Sequence, residues 1–454
     1  MGGSFANEDL DLQAIEKLLG ASAVFDWETL NSGWQVALQG AVAPGSTVCG
    51  VVFPGTQTEL AEVMTHASHQ RWTVLPVGCG SKLHWGGLVR GGQGEARSPL
   101  IAISTGRMNR LIDHAVGDLT VTVEAGMGFA DLQATLAKAG QFLAIDPAFP
   151  ERATIGGIVA TADTGSLRHR YNSVRDMLLG LSLVRADGQL ARAGGRVVKN
   201  VAGYDLMKLF TGSYGTLGVI TQVTFRVYPL PETSQTVVLA GKAELIAQAT
   251  AALLSSALTP VSVDLLSAQT VQALDLGCVK GMAIAVRFQG IQPSVEQQVN
   301  RILELGQSLG LASVSETEVD EALWERLRKH MTAEGQERAI ACKIGISPSE
   351  AVSVIEQMDS IELPETVWYG QIHAASGLGR LVFPDSVSLE SLLKLRSRLQ
   401  TRCGFLSILQ APVSLKQQID VWGYSGNALD LMRKLKQQFD PNYRLSPHRF
   451  VGGI

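Results

Sequence analysis

Glycine in this chain gathers where short apolar runs end. Leu75-Pro76-Val77 runs into Gly78-Cys79-Gly80-Ser81-Lys82, and Thr154-Ile155-Gly156-Gly157-Ile158-Val159-Ala160-Thr161-Ala162-Asp163-Thr164-Gly165 keeps small residues over a long stretch. A third cluster, Gly212, Gly215 and Gly218, brackets a turn into the run Val219–Tyr228. Many of the 47 glycines fall between Gly78 and Gly218. A backbone uses glycine where it turns sharply or where a ligand must come close. The pattern therefore predicts strands that deliver binding loops.

With 454 residues the chain exceeds a single core, so two domains with terminal extensions are expected. Residues 1–42 read as a helical preamble and arm, and a first domain spans 43–232. Within it Val48–Phe53 is a strand, and Thr56-x-x-Glu59 is a capping box before Leu60, Val63, Met64 and Ala67 at helical spacing. Further strands are expected at Trp72–Val77, Leu119–Glu124 and Val219–Tyr228, with a helix at Asp131–Ala139 stopped by Gly140. Met177–Val184 and Gln189–Ala193 flank Ala186-Asp187-Gly188 as a hairpin. Pro229-Leu230-Pro231 removes amide donors and closes the domain. Residues 233–419 form a second α+β domain, and 420–454 a helix (Ala428–Phe439) and tail.

Composition excludes several classes. A net charge of −4 gives no general attraction to nucleic acid or anionic lipid. No apolar stretch approaches the roughly 20 residues of a membrane span. The first residues are acidic and lack an apolar segment, so no secretory leader is expected and a cytoplasmic protein is. Cys49, Cys79, Cys278, Cys342 and Cys403 are scattered, without the spacing of a disulfide framework or an iron–sulfur site.

The Gly78–Lys82 loop suits a nest of backbone N–H groups around a pyrophosphate, or a plain tight turn. It matches neither G-x-G-x-x-G nor a P-loop, which disfavours a nicotinamide or nucleoside-triphosphate site. The small residues from Thr154 to Gly165 would let a flat ring lie on backbone, and a small-residue helix contact would not account for Thr161, Asp163 and Thr164.

Taken together the three loops resemble the vanillyl-alcohol-oxidase/PCMH-type FAD-binding family. Lys199-Asn200-Val201-Ala202-Gly203-Tyr204-Asp205-Leu206, Ile372-His373-Ala374-Ala375-Ser376-Gly377 and the close Arg449-Phe450-Val451-Gly452-Gly453-Ile454 are similar to the FAD-binding E subunits of bacterial glycolate oxidases. The resemblance implies an α+β fold, in which a two-part FAD-binding domain precedes a cap and a tail returns to the flavin domain. It implies that Val77, Gly78, Cys79, Gly80, Ser81 and Lys82 hold the pyrophosphate. Pro147, Thr154, Ile155, Gly156, Gly157, Thr161, Asp163 and Gly165 would line the ring and ribityl chain, and Gly218, Val219 and Ile220 the adenosine side. Many relatives attach flavin through a His beside the first loop; here Ser81 and Lys82 stand there, so non-covalent FAD is expected. The implied partners are a second FAD-binding oxidase subunit and an iron–sulfur subunit, with a small 2-hydroxy acid as substrate and membrane association only through those subunits.

Catalytically competent relatives carry H-x-G-D-G-N-x-H in the cap, whose histidines bind a metal. Here the stretch reads His373-Ala374-Ala375-Ser376-Gly377-Leu378-Gly379-Arg380, so no metal site is expected. His373 is either a base or anchor near the flavin or a satisfied interior histidine. Arg380 could pair with a substrate carboxylate, and Arg449 could enter the site from the tail. Arg168, His169, Arg170 and Arg175 could stabilise a reduced flavin or pair with Asp163 or Asp176. His448 stands where relatives carry glycine, which bears on the turn there. Three roles remain open: oxidation of a 2-hydroxy acid or relay of its electrons, a stand-alone alcohol or sugar-acid oxidoreductase, and a non-catalytic assembly subunit.

Overall fold

The computed structural model describes residues 12–91, 98–196, 204–276, 281–316, 320–336, 338–358 and 367–454. The start of the expected preamble, the segment Lys199–Gly203 and Cys278 lie outside them.

Three sheets carry the fold. In the first, Val24–Asp26, Val48–Val52, Leu100–Ser104 and Thr73–Val77 lie side by side, the last three parallel. Their Val, Leu and Ile side chains are buried on both faces, as parallel strands require. The helix Gln57–His69 covers one face, started by Thr56, whose side chain accepts from Glu59 N at 3.1 Å. The Glu59 carboxylate accepts from Gly55 N at 2.7 Å, so the cap is shared between the two ends of the motif.

The second sheet is antiparallel, in the order Leu111–Ala115, Thr120–Glu124, Val219–Arg226, Leu178–Val184, Leu190–Gly194. The last two strands form the hairpin expected at Ala186-Asp187-Gly188, with Gly188 at φ +83° and Arg185 N bonded to Gln189 O at 2.9 Å. The helices Phe129–Ala137 and Ile155–Thr161 pack Leu132, Leu136, Ile155, Ile158 and Val159 on it.

Strands from Thr233–Gly241 to Phe405–Gln410 make an eight-stranded antiparallel sheet. Strand residues alternate between faces, and here the alternation separates core from chemistry. Val263, Leu265, Cys342, Ile344, Ile372 and Leu381 enter the core under the helices Ala243–Leu254, Gln292–Ser308 and Leu389–Thr401. Their neighbours Asp264, Lys343, Gln371, His373 and Arg380 therefore occupy the opposite face. Asp264 pairs with His373 across one ladder, and Arg380 pairs with both Gln371 and Lys343 across two others.

After the helix Leu429–Phe439 the tail returns to the first sheet. Val74 N donates to Arg444 O at 2.8 Å, and Ser446 N donates back to Val74 O at 2.9 Å. Tyr443, Ser446 and His448 all take positive φ. The turn thus keeps a left-handed geometry at His448 despite its side chain, with Gly87 packed on its carbonyl.

Candidate functional site

The strand Thr73–Val77 ends in a cleft of about 710 Å³ of atom-free space, shared with the start of the helix Ile155–Thr161, the strand Val219–Arg226 and the tail. Gly78 is fixed by close approach, because a Cβ there would sit 2.1 Å from Thr154 Oγ1. Thr154 in turn caps the helix, accepting from Gly157 N at 3.3 Å. Gly156 has the same constraint against Ala125, whose carbonyl takes its amide at 2.7 Å. Among the described residues, none of the backbone amides of Cys79, Gly80, Ser81 and Lys82 donates a hydrogen bond. Arg449 reaches the same cleft. Its Nη2 donates to Leu83 O at 2.8 Å, while its buried Nη1 has no partner. Free amides around glycine, a flat small-residue wall and an unsatisfied guanidinium fit a cofactor with an anionic linker and a planar ring.

Beside the cleft, the face of the eight-stranded sheet closes over Thr161–Thr164 to form a recess of about 380 Å³ of atom-free space. Asp163 sits at its edge, fully buried. Lys82 Nζ lies 3.1 Å from its Oδ2, Arg380 Nη2 lies 2.6 Å from its Oδ1, and Ala148 N donates to it at 2.8 Å. Burial pushes the Asp163 carboxyl upward, but Lys82 and Arg380 outweigh that and hold it below the ordinary range. Arg168 and Lys343 line the same recess, and neither forms an ion pair among the described residues. Burial, reinforced by Arg168 and Arg380, lowers Lys343 to about 8. The recess is therefore rich in cationic charge with one neutralising acid. Positive φ at Phe149, Ala162 and Tyr214 surrounds it, the kind of backbone strain that gathers at functional sites.

His373 lines both this recess and a wider groove of about 1940 Å³ between the sheets. Its Nδ1 is 2.6 Å from Asp264 Oδ1. Asp146 borders the groove and accepts from the amides of Ser166 at 2.7 Å and Leu167 at 3.2 Å. Burial raises Asp146 to about 6.

Another buried lysine, Lys416, donates to the carbonyls of His84 and, at 3.1 Å, Gly86. Burial and the nearby Arg449 lower it to about 7 from 10.5. A base with a depressed folded pKa contributes stability that is present above its unfolded pKa and is lost as pH falls through the folded one. From pH 7 towards 10, Lys416 should add up to about 1.4 kcal/mol of stability per pH unit. Thermal melts across that range should show this rise in the wild type and a flatter profile in Lys416→Met.

The structure brings Val77, Gly78, Cys79, Gly80, Ser81 and Lys82 together with Thr154, Gly156, Gly157 and Thr161 in one cleft. Gly218, Val219 and Ile220 complete its wall. Four others lie elsewhere. The Ile155 side chain is buried in the core, Asp163 faces the recess, and Pro147 and Gly165 border the groove. The acids expected beside Arg168 are engaged by other groups: Asp163 by Lys82 and Arg380, and Asp176 as the cap of Ser173. Sequence reasoning missed Asp264, Lys343, Asp146 and Lys416. The available signal for two of them was a lone charge inside an apolar strand, in Val263-Asp264-Leu265 and Cys342-Lys343-Ile344.

Residues 49–194 match a family described as an FAD binding domain. The glycolate oxidase subunit GlcD of Bacillus subtilis (strain 168) is 27% identical over 330 residues, covering 70% of this chain and 68% of that protein. The glycolate oxidase subunit GlcE of Escherichia coli (strain K12) is 41% identical over 125 residues, but the match spans only 27% of this chain and 36% of the relative. The fold is that of 4-ethylphenol oxidase from Gulosibacter chungangensis, with a TM-score of 0.73 at 16% identity and 96% of each chain covered. The free loop amides and the unpartnered Arg449 Nη1 agree with such a cofactor at this cleft. Residues 49–194 thus carry the match to an FAD binding domain, and the chain is an FAD-dependent oxidoreductase.

Proposed function

We propose that the chain oxidises a small 2-hydroxy acid, glycolate or a related D-2-hydroxy acid, to the 2-oxo acid. The observation that carries this reading is the cationic recess beside His373, with Arg168 and Lys343 free of ion pairs among the described residues. FAD, held non-covalently by the Val77–Lys82 loop, the Thr154–Thr161 segment and Arg449, supplies a two-electron acceptor for the substrate carbon. Lys343 and Arg168 hold the carboxylate, a charge-assisted contact strengthened by burial. Arg380 is held by Asp163 and shapes the recess from the side. His373 takes the proton of the substrate hydroxyl as the carbonyl forms. Trp85, Tyr214 and Leu409 exclude water from the same space.

The similarity to glycolate oxidase subunits supports work within a complex, and the partners we propose there are a second FAD-binding subunit and an iron–sulfur subunit. In a second reading the flavin relays electrons from the sister subunit, which the altered stretch Ser376–Arg380 favours. No helix among the described residues is long and apolar enough to cross a membrane, and we place the complex in the cytoplasm.

Anaerobic addition of glycolate or D-lactate to the purified, FAD-loaded chain tests the reading. Bleaching of the flavin band is expected. A band that persists with every 2-hydroxy acid offered, and bleaches only when the partner subunits are added, would transfer the chemistry to those subunits.

A further inference from the structure

The Asp264–His373 pair is built more completely than a buried ion pair needs to be. Asp264 is fully buried, and both of its oxygens are engaged. Oδ1 meets His373 Nδ1 at 2.6 Å. Oδ2 accepts from Ser166 Oγ and from Gln371 Nε2 at 2.8 Å, and Gln371 Nε2 also reaches Ser166 Oγ at 2.9 Å. Burial pushes the Asp264 carboxyl upward, but His373 and these donors hold it below the ordinary range, so it remains an anion that only accepts. An acceptor at Nδ1 places a proton there. Nε2, which bonds to nothing among the described residues, is left to face the cavities that His373 lines.

Three elements converge on this one carboxylate. Asp264 and His373 are register partners on neighbouring strands of the eight-stranded sheet. Ser166 comes from the loop after the helix Ile155–Thr161, and Asp146 binds that same loop through the amides of Ser166 and Leu167. The histidine's orientation is therefore referenced to the segment that lines the flavin cleft as well as to its own sheet.

We propose that Asp264 is the positioning residue of the reaction, fixing His373 as the Nδ1–H tautomer so that Nε2 is the proton acceptor for the substrate hydroxyl. This inference rests on the proposed 2-hydroxy-acid oxidation. As the substrate O–H bond breaks, its proton goes to Nε2. The C=O bond forms as the C–H hydrogen leaves with its electron pair, and FAD, held by the Val77–Lys82 loop and Arg449, would supply the acceptor for that hydride. The Asp264 carboxylate stabilises the imidazolium that results without taking the proton itself.

Asp264→Asn is the informative variant, because it keeps shape and removes only the acceptor-only character. Ser166 Oγ–H and Gln371 N–H both point at Oδ2, so the asparagine places its carbonyl there and turns its NH₂ towards His373 Nδ1. A donor facing Nδ1 drives the proton to Nε2, the wrong tautomer for a base. We expect kcat to fall on the order of 10²-fold or more, with KM and bound FAD nearly unchanged. Asp264→Asn placed on His373→Gln should add little, since the two residues act as a unit. Full additivity, or a loss confined to KM or to FAD content, would overturn the inference.

Nitrogen NMR of histidine-labelled protein, with His373 identified by loss of its signal in His373→Gln, gives a readout independent of turnover. Wild-type protein should carry the proton on Nδ1 and Asp264→Asn on Nε2. An unchanged tautomer in Asp264→Asn sinks the positioning role even if 2-hydroxy acids are oxidised. A tautomer switch with no oxidation of any 2-hydroxy acid would instead count against the proposed substrate.

Discussion

Replacing Lys436 by methionine should lower the unfolding free energy by roughly 3–5 kcal/mol, the scale for removing one partner of a buried ion pair. Lys436 is fully buried in the last helix, and its ammonium is completely used. It donates to Asp440 Oδ2 at 2.6 Å, to Thr216 O at 2.8 Å and to Leu445 O at 2.8 Å. Methionine fills the same volume but leaves the buried Asp440 without a counter-charge and two carbonyls without a donor. Asp440 keeps only the amides of Arg444 at 3.0 Å and Leu445 at 2.7 Å. The damage should spread to the cofactor. Thr216 lies between Gly215 and Gly218 on the cleft wall, and Leu445 begins the segment that carries Arg449 into the cleft. Thermal melting and FAD retention after gel filtration should therefore fall together. Adding Asp440→Asn to Lys436→Met should restore part of the stability, because it neutralises the stranded acid. A Lys436→Met protein that melts with the wild type would show that the tail is held by its backbone bonds alone.

That clamp illustrates what was legible in the sequence and what was not. Glycine spacing pointed to loops at strand ends, and Gly78, Gly156, Gly157 and Gly218 do meet at one cleft. Local signals read well for a physical reason: the Thr56 helix cap, whose Glu59 side chain reaches Gly55 N rather than Thr56 N, a turn at Asp187-Gly188 and helical spacing after Glu59 are each decided within a few residues. The recess was hidden because register brings Lys343, His373 and Arg380 onto one sheet face, while Arg168 arrives from the short helix Arg168–Tyr171. A single strand cannot announce which neighbour it will pair with. Asp264 looked like a stray charge among apolar residues, and only its pairing with His373, 109 positions away, gives it a role. His373 itself carried two readings in sequence, a base or anchor near the flavin and, favoured over it, a remnant or satisfied interior histidine. Its hydrogen bond to a buried, fully bonded carboxylate holds it in place, while Arg380, standing where the related motif carries its second histidine, binds Asp163.

Lys343→Met should reduce kcat/KM for a 2-hydroxy acid on the order of 10²–10³-fold, the scale for truncating one partner of a buried, hydrogen-bonded charge pair. The loss should lie mainly in KM, because the carboxylate is held in the ground state as well as in the transition state. FAD content should stay the same, since Lys343 lies on the eight-stranded sheet and does not line the flavin cleft. In the resting protein this lysine is a liability. It is half-buried beside Arg168 and Arg380 with no ion-pair partner among the described residues, and desolvation already lowers it to about 8. Removing it should leave the melting temperature unchanged or higher, a gain in stability at the expense of activity. A short alcohol without a carboxylate serves as the control. If Lys343→Met slows that alcohol as much as glycolate, the lysine is a structural element of the recess and the carboxylate assignment fails. If only the acid is affected, the cationic recess is the specificity device, and the stand-alone alcohol oxidase reading loses its support.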